Sequence, residues 1–100
     1  MSADDKFQMI HPDGKPAPRI DKAKYEMVRE ALLKIIPQNE EGVPFTTLAD
    51  RVAESLTREQ LSKLGSIGWY TTGVKLDLEA RGEIERVPGS KPQRLRRKGS

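Results

Sequence analysis

A chain of 100 residues with 35% hydrophobic and 33% charged side chains suffices for one small domain with one core and is too short for two ordinary ones. It has no cysteine, which excludes a disulfide framework and a thiolate zinc site, and no apolar run approaches the roughly 18 residues of a membrane span. The net charge of +3 is segregated: six of the 18 basic residues lie between Arg86 and Lys98 with no acidic residue among them, leaving 12 basic against 15 acidic residues elsewhere. Clustered cations attract polyanions better than dispersed ones because their fields sum over about one Debye length, although a charge run is also what a solvated terminus looks like.

Residues 1–20 contain HPDGKPAP, whose prolines and glycine remove backbone donors and favour turns. The segment is expected to be a flexible or loosely docked arm, with Phe7, Met9 and Ile10 as a small apolar cluster for docking. Asp4 and Asp5 are unlike the cationic start of a secretory signal, so a cytoplasmic protein is expected. A single folded domain is expected over residues 21–98.

Tyr25, Val28, Leu32, Ile35 and Ile36 recur at helical spacing between Asp21, a credible N-cap, and Pro37, a credible stop, which predicts a helix over about 22–36. QNEEG reads as a turn and VPF as a very short strand, since Pro44 has no amide hydrogen. Thr46 or Thr47 is expected to cap a helix over about 47–56 with Leu48, Val52 and Leu56 inward. Thr57 and Gln60 fit a capping box for a short helix over about 58–64. Ser66 is placed to cap a helix over about 67–81, and Gly82 to end it in a left-handed conformation. GEIERV and QRLRR flank the turn formers PGSKP, which predicts a β-hairpin over about 83–97.

At 100° per residue, Ile67, Tyr70, Val74 and Leu78 share one face of the helix at 67–81, while Trp69, Leu76 and Ala80 share a second. Trp69 is expected in the core, and Gly68, Thr71, Thr72, Lys75 and Glu79 form the stripe expected to be exposed. Ordinary i,i+4 ion pairs, Lys75 with Glu79 and Asp77 with Arg81, account for the charges on this helix without any function.

The order helix, short strand, helices and hairpin, together with LDLEARGEIERV, resembles the winged helix-turn-helix fold, in which bacterial regulators end the recognition helix in a phrase like LEARGLIERV before the wing. Leu76, Leu78, Glu79, Ala80, Arg81, Gly82, Ile84, Arg86 and Val87 carry the likeness. A likeness over nearly the whole chain, in IDKAKYEMVREALLKIIP, GWYTTGVKLDLEARGEIERV and KPQRLRR, is to a family of small bacterial proteins without established function. The resemblance implies an α+β, mainly helical winged-helix domain that binds double-stranded DNA, with a homodimer or a protein partner as further possibilities. Carried over position by position, the groove-facing candidates are Ser66, Thr71, Thr72 and Lys75, and the wing contributes Lys91, Arg94, Arg96 and Arg97. TREQLSKLGS departs from the pattern, because it is longer than the three or four residues of a compact helix-turn-helix.

No enzymatic activity, cofactor or metal is expected: the single histidine, His11, lies in the proline-rich arm, and GSIG lacks the further glycine and lysine of a phosphate loop. The alternative to DNA binding is a protein-interaction module on the same scaffold. An exposed Trp69 beside Tyr70, or an apolar patch from Phe7 and Ile10, would favour it.

Overall fold

The computed structural model describes residues 5–98. Helix α1, Lys22–Ile35, begins where the Asp21 carboxylate accepts the Lys24 amide at 3.2 Å. It buries Tyr25, Val28, Ala31 and Leu32, and it ends as Ile36 turns extended ahead of Pro37, whose ring disfavours a helical predecessor. Strand β3, Val43–Pro44, leads through a 3₁₀ turn at Phe45–Thr47 into α2, Leu48–Ser55. Neither threonine caps α2 as expected, because the Thr47 hydroxyl donates to the Pro44 carbonyl at 2.8 Å and the 3₁₀ turn supplies the entry.

The capping box is present at α3, Arg58–Leu64: the Gln60 amide donates to Thr57 Oγ1 at 3.1 Å and the Thr57 amide to Gln60 Oε1 at 2.8 Å. Helix α4, Ile67–Ala80, starts with Ser66 Oγ accepting the Trp69 amide. It stops at Gly82, where φ is +76° and the Glu83 amide reaches back to the Leu78 carbonyl at 3.0 Å.

Strands β4, Ile84–Arg86, and β5, Arg94–Arg97, form the C-terminal hairpin. β5 is central in an antiparallel sheet of order β3-β5-β4, with Val43 opposite Leu95 and Ile84 opposite Arg97. Gly42 permits the approach to β5, since its φ is +64° and a Cβ there would overlap the Leu95 carbonyl oxygen. The core joins Val28, Leu32 and Ile36 of the α1 region to Leu48, Val52, Leu64, Val74, Leu78, Ile84 and Leu95. This α+β arrangement is compatible with a winged-helix-like fold.

The N-terminal segment adds a second, two-stranded antiparallel sheet, β1, Lys6–Gln8, with β2, Arg19–Asp21, and Phe7 opposite Ile20. Met9 and Ile20 enter the core, 2% and 5% exposed, so the residues expected as an arm cover one side of α4. A chain this small buries only about 60–65% of its surface on folding, and two more buried aliphatic side chains are a substantial addition.

Candidate functional site

Helix α4 and its cap Ser66 carry half of the predicted site, and the packing of α4 inverts the sequence expectation at four residues, Thr71, Lys75, Glu79 and Trp69. Thr71 and Lys75, expected on the exposed stripe, are 1% and 3% exposed. Lys75 Nζ lies 2.8 Å from Glu79 Oε2, an ion contact out of line for a hydrogen bond, and its ammonium sits 4.8 Å from the centre of the Phe45 ring. Glu79, also expected outside, has a side chain only 8% exposed and accepts from Arg86 Nε at 2.7 Å. The stripe Thr71, Lys75, Glu79 lies inward because its charges are neutralised by one another and by Arg86 at the start of the wing, and a paired charge tolerates burial better than a lone one. Thr71 Oγ1 and Glu79 Oε2 are both buried without a hydrogen-bond partner, Oε2 having only the ion contact with Lys75.

Across the helix from Lys75 and Glu79, Asp77 is fully buried and gathers three donors. Its Oδ2 accepts from the Tyr25 hydroxyl at 2.5 Å and Arg81 Nε at 2.8 Å, and its Oδ1 accepts from the Ile10 amide at 2.9 Å. Arg81 also donates to the Gln8 carbonyl and lies over the Phe7 ring, which stacks on Tyr25 with centroids 3.9 Å apart. Burial, followed by the hydrogen bond and charge of Asp77, pushes the Tyr25 hydroxyl well above its ordinary value. The hydrogen bond to Asp77 raises Arg81. This network fixes the N-terminal segment to α1 and α4.

The basic ribbon is also tied into the fold. Arg94 donates to the carbonyls of Glu41 and Gly42 at 2.7 and 3.1 Å, and Arg96 to Glu85 and to the Glu40 carbonyl at 2.7 and 3.3 Å. Arg97 Nε donates to the Ile36 carbonyl at 2.9 Å. The turn after α1 has no ladder of its own, and guanidinium forks satisfy its carbonyls. Ser66, Thr72, Lys91 and Arg97 are solvent-facing, with the Ser66 hydroxyl committed to its cap; Arg94 and Arg96 are half-buried. Among the described residues, no group of three or more His, Cys, Asp or Glu is placed to hold a metal ion. No helix is long and apolar enough to cross a membrane.

The solvent-facing side of α4 is apolar instead. Trp69, expected in the core, is 49% exposed, because the docked N-terminal segment and the α1 side take up the other faces of α4. Its ring meets Tyr70 edge-on at 4.8 Å. Between α4 and the segment from Met9 to Pro18 lies an open hollow of about 570 Å³, with Ile10, Pro16 and Pro18 on one side and Trp69, Thr72 and Leu76 on the other. Gly73 forms part of its floor where Met9 comes closest; a Cβ there would lie 3.2 Å from Met9 Cε. Phe7, Met9 and Ile10 signalled an apolar cluster in the sequence, but the hollow exists only because the segment folds back onto a helix about 60 residues away.

Comparison with curated proteins and with solved structures gives no match. A family model does match, over residues 6–95, a span that takes in both the N-terminal sheet and the wing. The chain accordingly belongs to the family of unknown function DUF6958.

Proposed function

We propose that the protein is an interaction module on a winged-helix-like scaffold, docking another polypeptide through the hollow between its N-terminal segment and α4. One observation carries this reading: the two large hydrophobic side chains exposed among the described residues, Ile10 at 41% and Trp69 at 49%, line the same hollow. None of its eleven lining residues is Asp, Glu, Lys or Arg, in a chain that is 33% charged. A phosphate backbone finds no lysine or arginine there, whereas an apolar side chain finds Trp69, Leu76 and Met9.

Selection from a displayed peptide library, counter-screened on Trp69→Ala, tests the reading. Peptides with apolar anchors should emerge and lose about 30-fold or more in affinity on Trp69→Ala, the effect expected of a central aromatic anchor. Peptides that bind both forms equally, or no enrichment on a chain that is also monomeric, would refute it.

Double-stranded DNA binding, as in a cytoplasmic bacterial regulator, is the second reading, supported by the solvent-facing Thr72, Lys91 and Arg97 and the exposed Lys98. Its cleanest probe is Lys91→Ala with Lys98→Ala, because among the described residues neither side chain makes a hydrogen bond, unlike Arg94 and Arg96. If DNA binds there, the double variant should lower the salt slope of binding by roughly 2, at about 0.9 per phosphate contact. An unchanged slope removes the wing from any DNA contact.

A further inference from the structure

We infer that the hollow on α4 is occupied by a second copy of this chain, related by a two-fold axis that places the Trp69 indole of each protomer in the hollow of the other. The inference rests on reading the hollow as a docking site and names its occupant.

A two-fold contact must be self-complementary, since one patch meets itself. Here the exposed aromatic group and the cavity belong to one patch: Trp69, 49% exposed, is itself part of the lining of a hollow of about 570 Å³. A single contact of this kind covers both Trp69 and Ile10 on both copies. Charge points the same way. Two chains of net charge +3 repel on approach unless they meet where neither presents charge. The lining of this hollow contains no Asp, Glu, Lys or Arg and has His11 as its one titratable side chain, whereas the groove between α1 and α2 presents Glu26, Glu30 and Lys34, and the shallow hollow beside the wing presents Glu40, Glu85, Arg96 and Arg97.

An extended peptide fits less well. Strand addition needs a row of free main-chain donors, but Pro12, Pro16 and Pro18 have none and the Met9 amide already donates to the Pro18 carbonyl. A polyproline ligand would require several aromatic ridges, and Trp69 is the one aromatic residue in the lining. A preformed convex knob is what the site accepts.

Eleven lining residues compare with roughly 20–30 per side in a standard interface, so the dimer should be small and reversible, with a dissociation constant on the order of 10–100 μM. Screening of the like net charges should tighten it as salt is added, the opposite of a DNA complex.

Trp69 is the only tryptophan, so its emission reports the site directly. Sedimentation equilibrium of the full chain from about 1 μM to 1 mM should show a monomer–dimer equilibrium, with the emission maximum moving to shorter wavelength as the dimer forms. Trp69→Ala should remain monomeric over that range, and Ile10→Ser should weaken association several-fold without altering the circular dichroism of the monomer. A chain that stays monomeric with unchanged emission, or a dimer undiminished in Trp69→Ala, overturns the inference. In a monomeric chain, a blue shift on adding a selected peptide would retain the docking reading and remove only the second copy; no response to any peptide would remove both.

Discussion

The two long faces of α4 are reversed in character. One face presents Thr71, Lys75 and Glu79 to the interior, and another presents Gly68, Trp69 and Thr72 to solvent. Burial here follows from which groups find partners, not from polarity alone. Lys75, Glu79 and Arg86 neutralise one another against Phe45, while about half of the indole faces water beside the N-terminal segment. A helix of this kind gains stability on its polar side and leaves its apolar side available for binding, so the two faces should respond oppositely to substitution.

The largest effect is expected at Asp77. Replacing it with alanine strands the Tyr25 hydroxyl, the Arg81 guanidinium and the Ile10 amide in one step. Breaking a buried charged network costs about 3–5 kcal/mol, comparable to the whole stability of a small domain. Urea unfolding of Asp77→Ala should show a collapse of the midpoint, and amide exchange should show β1 and β2 losing protection ahead of the remaining elements. A loss below about 1 kcal/mol would mean that the N-terminal segment is held by contacts other than those to Asp77, such as the burial of Met9 and Ile20 and the stacking of Phe7 on Tyr25.

Glu79→Ala comes next, at about 3 kcal/mol, because it leaves the Lys75 ammonium buried without its counter-charge. Lys75→Met should cost less, about 1 kcal/mol or under, since methionine fills similar space beside Phe45 and Glu79 keeps Arg86. Equal losses in the two variants would show that packing, not charge pairing, holds this face inward.

Tyr25→Phe should cost about 1–3 kcal/mol by removing one donor from Asp77. The cost should also depend on pH. Burial and Asp77 raise the Tyr25 hydroxyl, so the folded chain keeps this proton after the unfolded chain has released it. The stabilisation is therefore complete below the ordinary tyrosine value of about 10 and is lost as pH rises beyond it. Thermal unfolding of both proteins between about pH 8 and 11 should show their difference in stability narrowing above 10; a constant difference would contradict the assignment.

How much of this could be read from the chain depends on the distance over which each feature is specified. Helix boundaries are set by neighbours a few residues apart. Asp21, the Thr57 and Gln60 pair, Ser66 and Gly82 all act within one turn, and the four helices and the hairpin fall within a residue or two of their expected limits. The two faces of α4 are set by partners far along the chain. Asp77 meets Tyr25 and Ile10 across 52 and 67 positions, and Arg96 meets the Glu40 carbonyl across 56. Helical periodicity contains no information about such partners, so it placed Lys75 outside and Trp69 inside. The pairing of Lys75 with Glu79 and of Asp77 with Arg81 was legible from the i,i+4 spacing, but the burial of those pairs was not.

The smallest effect on stability should come from Trp69→Ala, on the solvent-facing side of α4. About half of the indole is already in water, and its contact within the fold is edge-on to Tyr70, the adjacent residue. Edge-to-face aromatic pairs contribute about 0.5–1.5 kcal/mol beyond burial, and exposed substitutions usually lie within about 0.5, so a loss of no more than about 1 kcal/mol in urea unfolding is expected. Because alanine favours a helix interior, part of even this loss should be recovered. The comparison with Glu79→Ala is the decisive one, since both substitutions truncate α4 to the same residue. If Trp69→Ala destabilised the chain as much as Glu79→Ala, the indole would belong to the fold, and its exposure would say nothing about a partner. If it leaves stability nearly unchanged while abolishing association, the apolar face of α4 is retained for something outside the protomer.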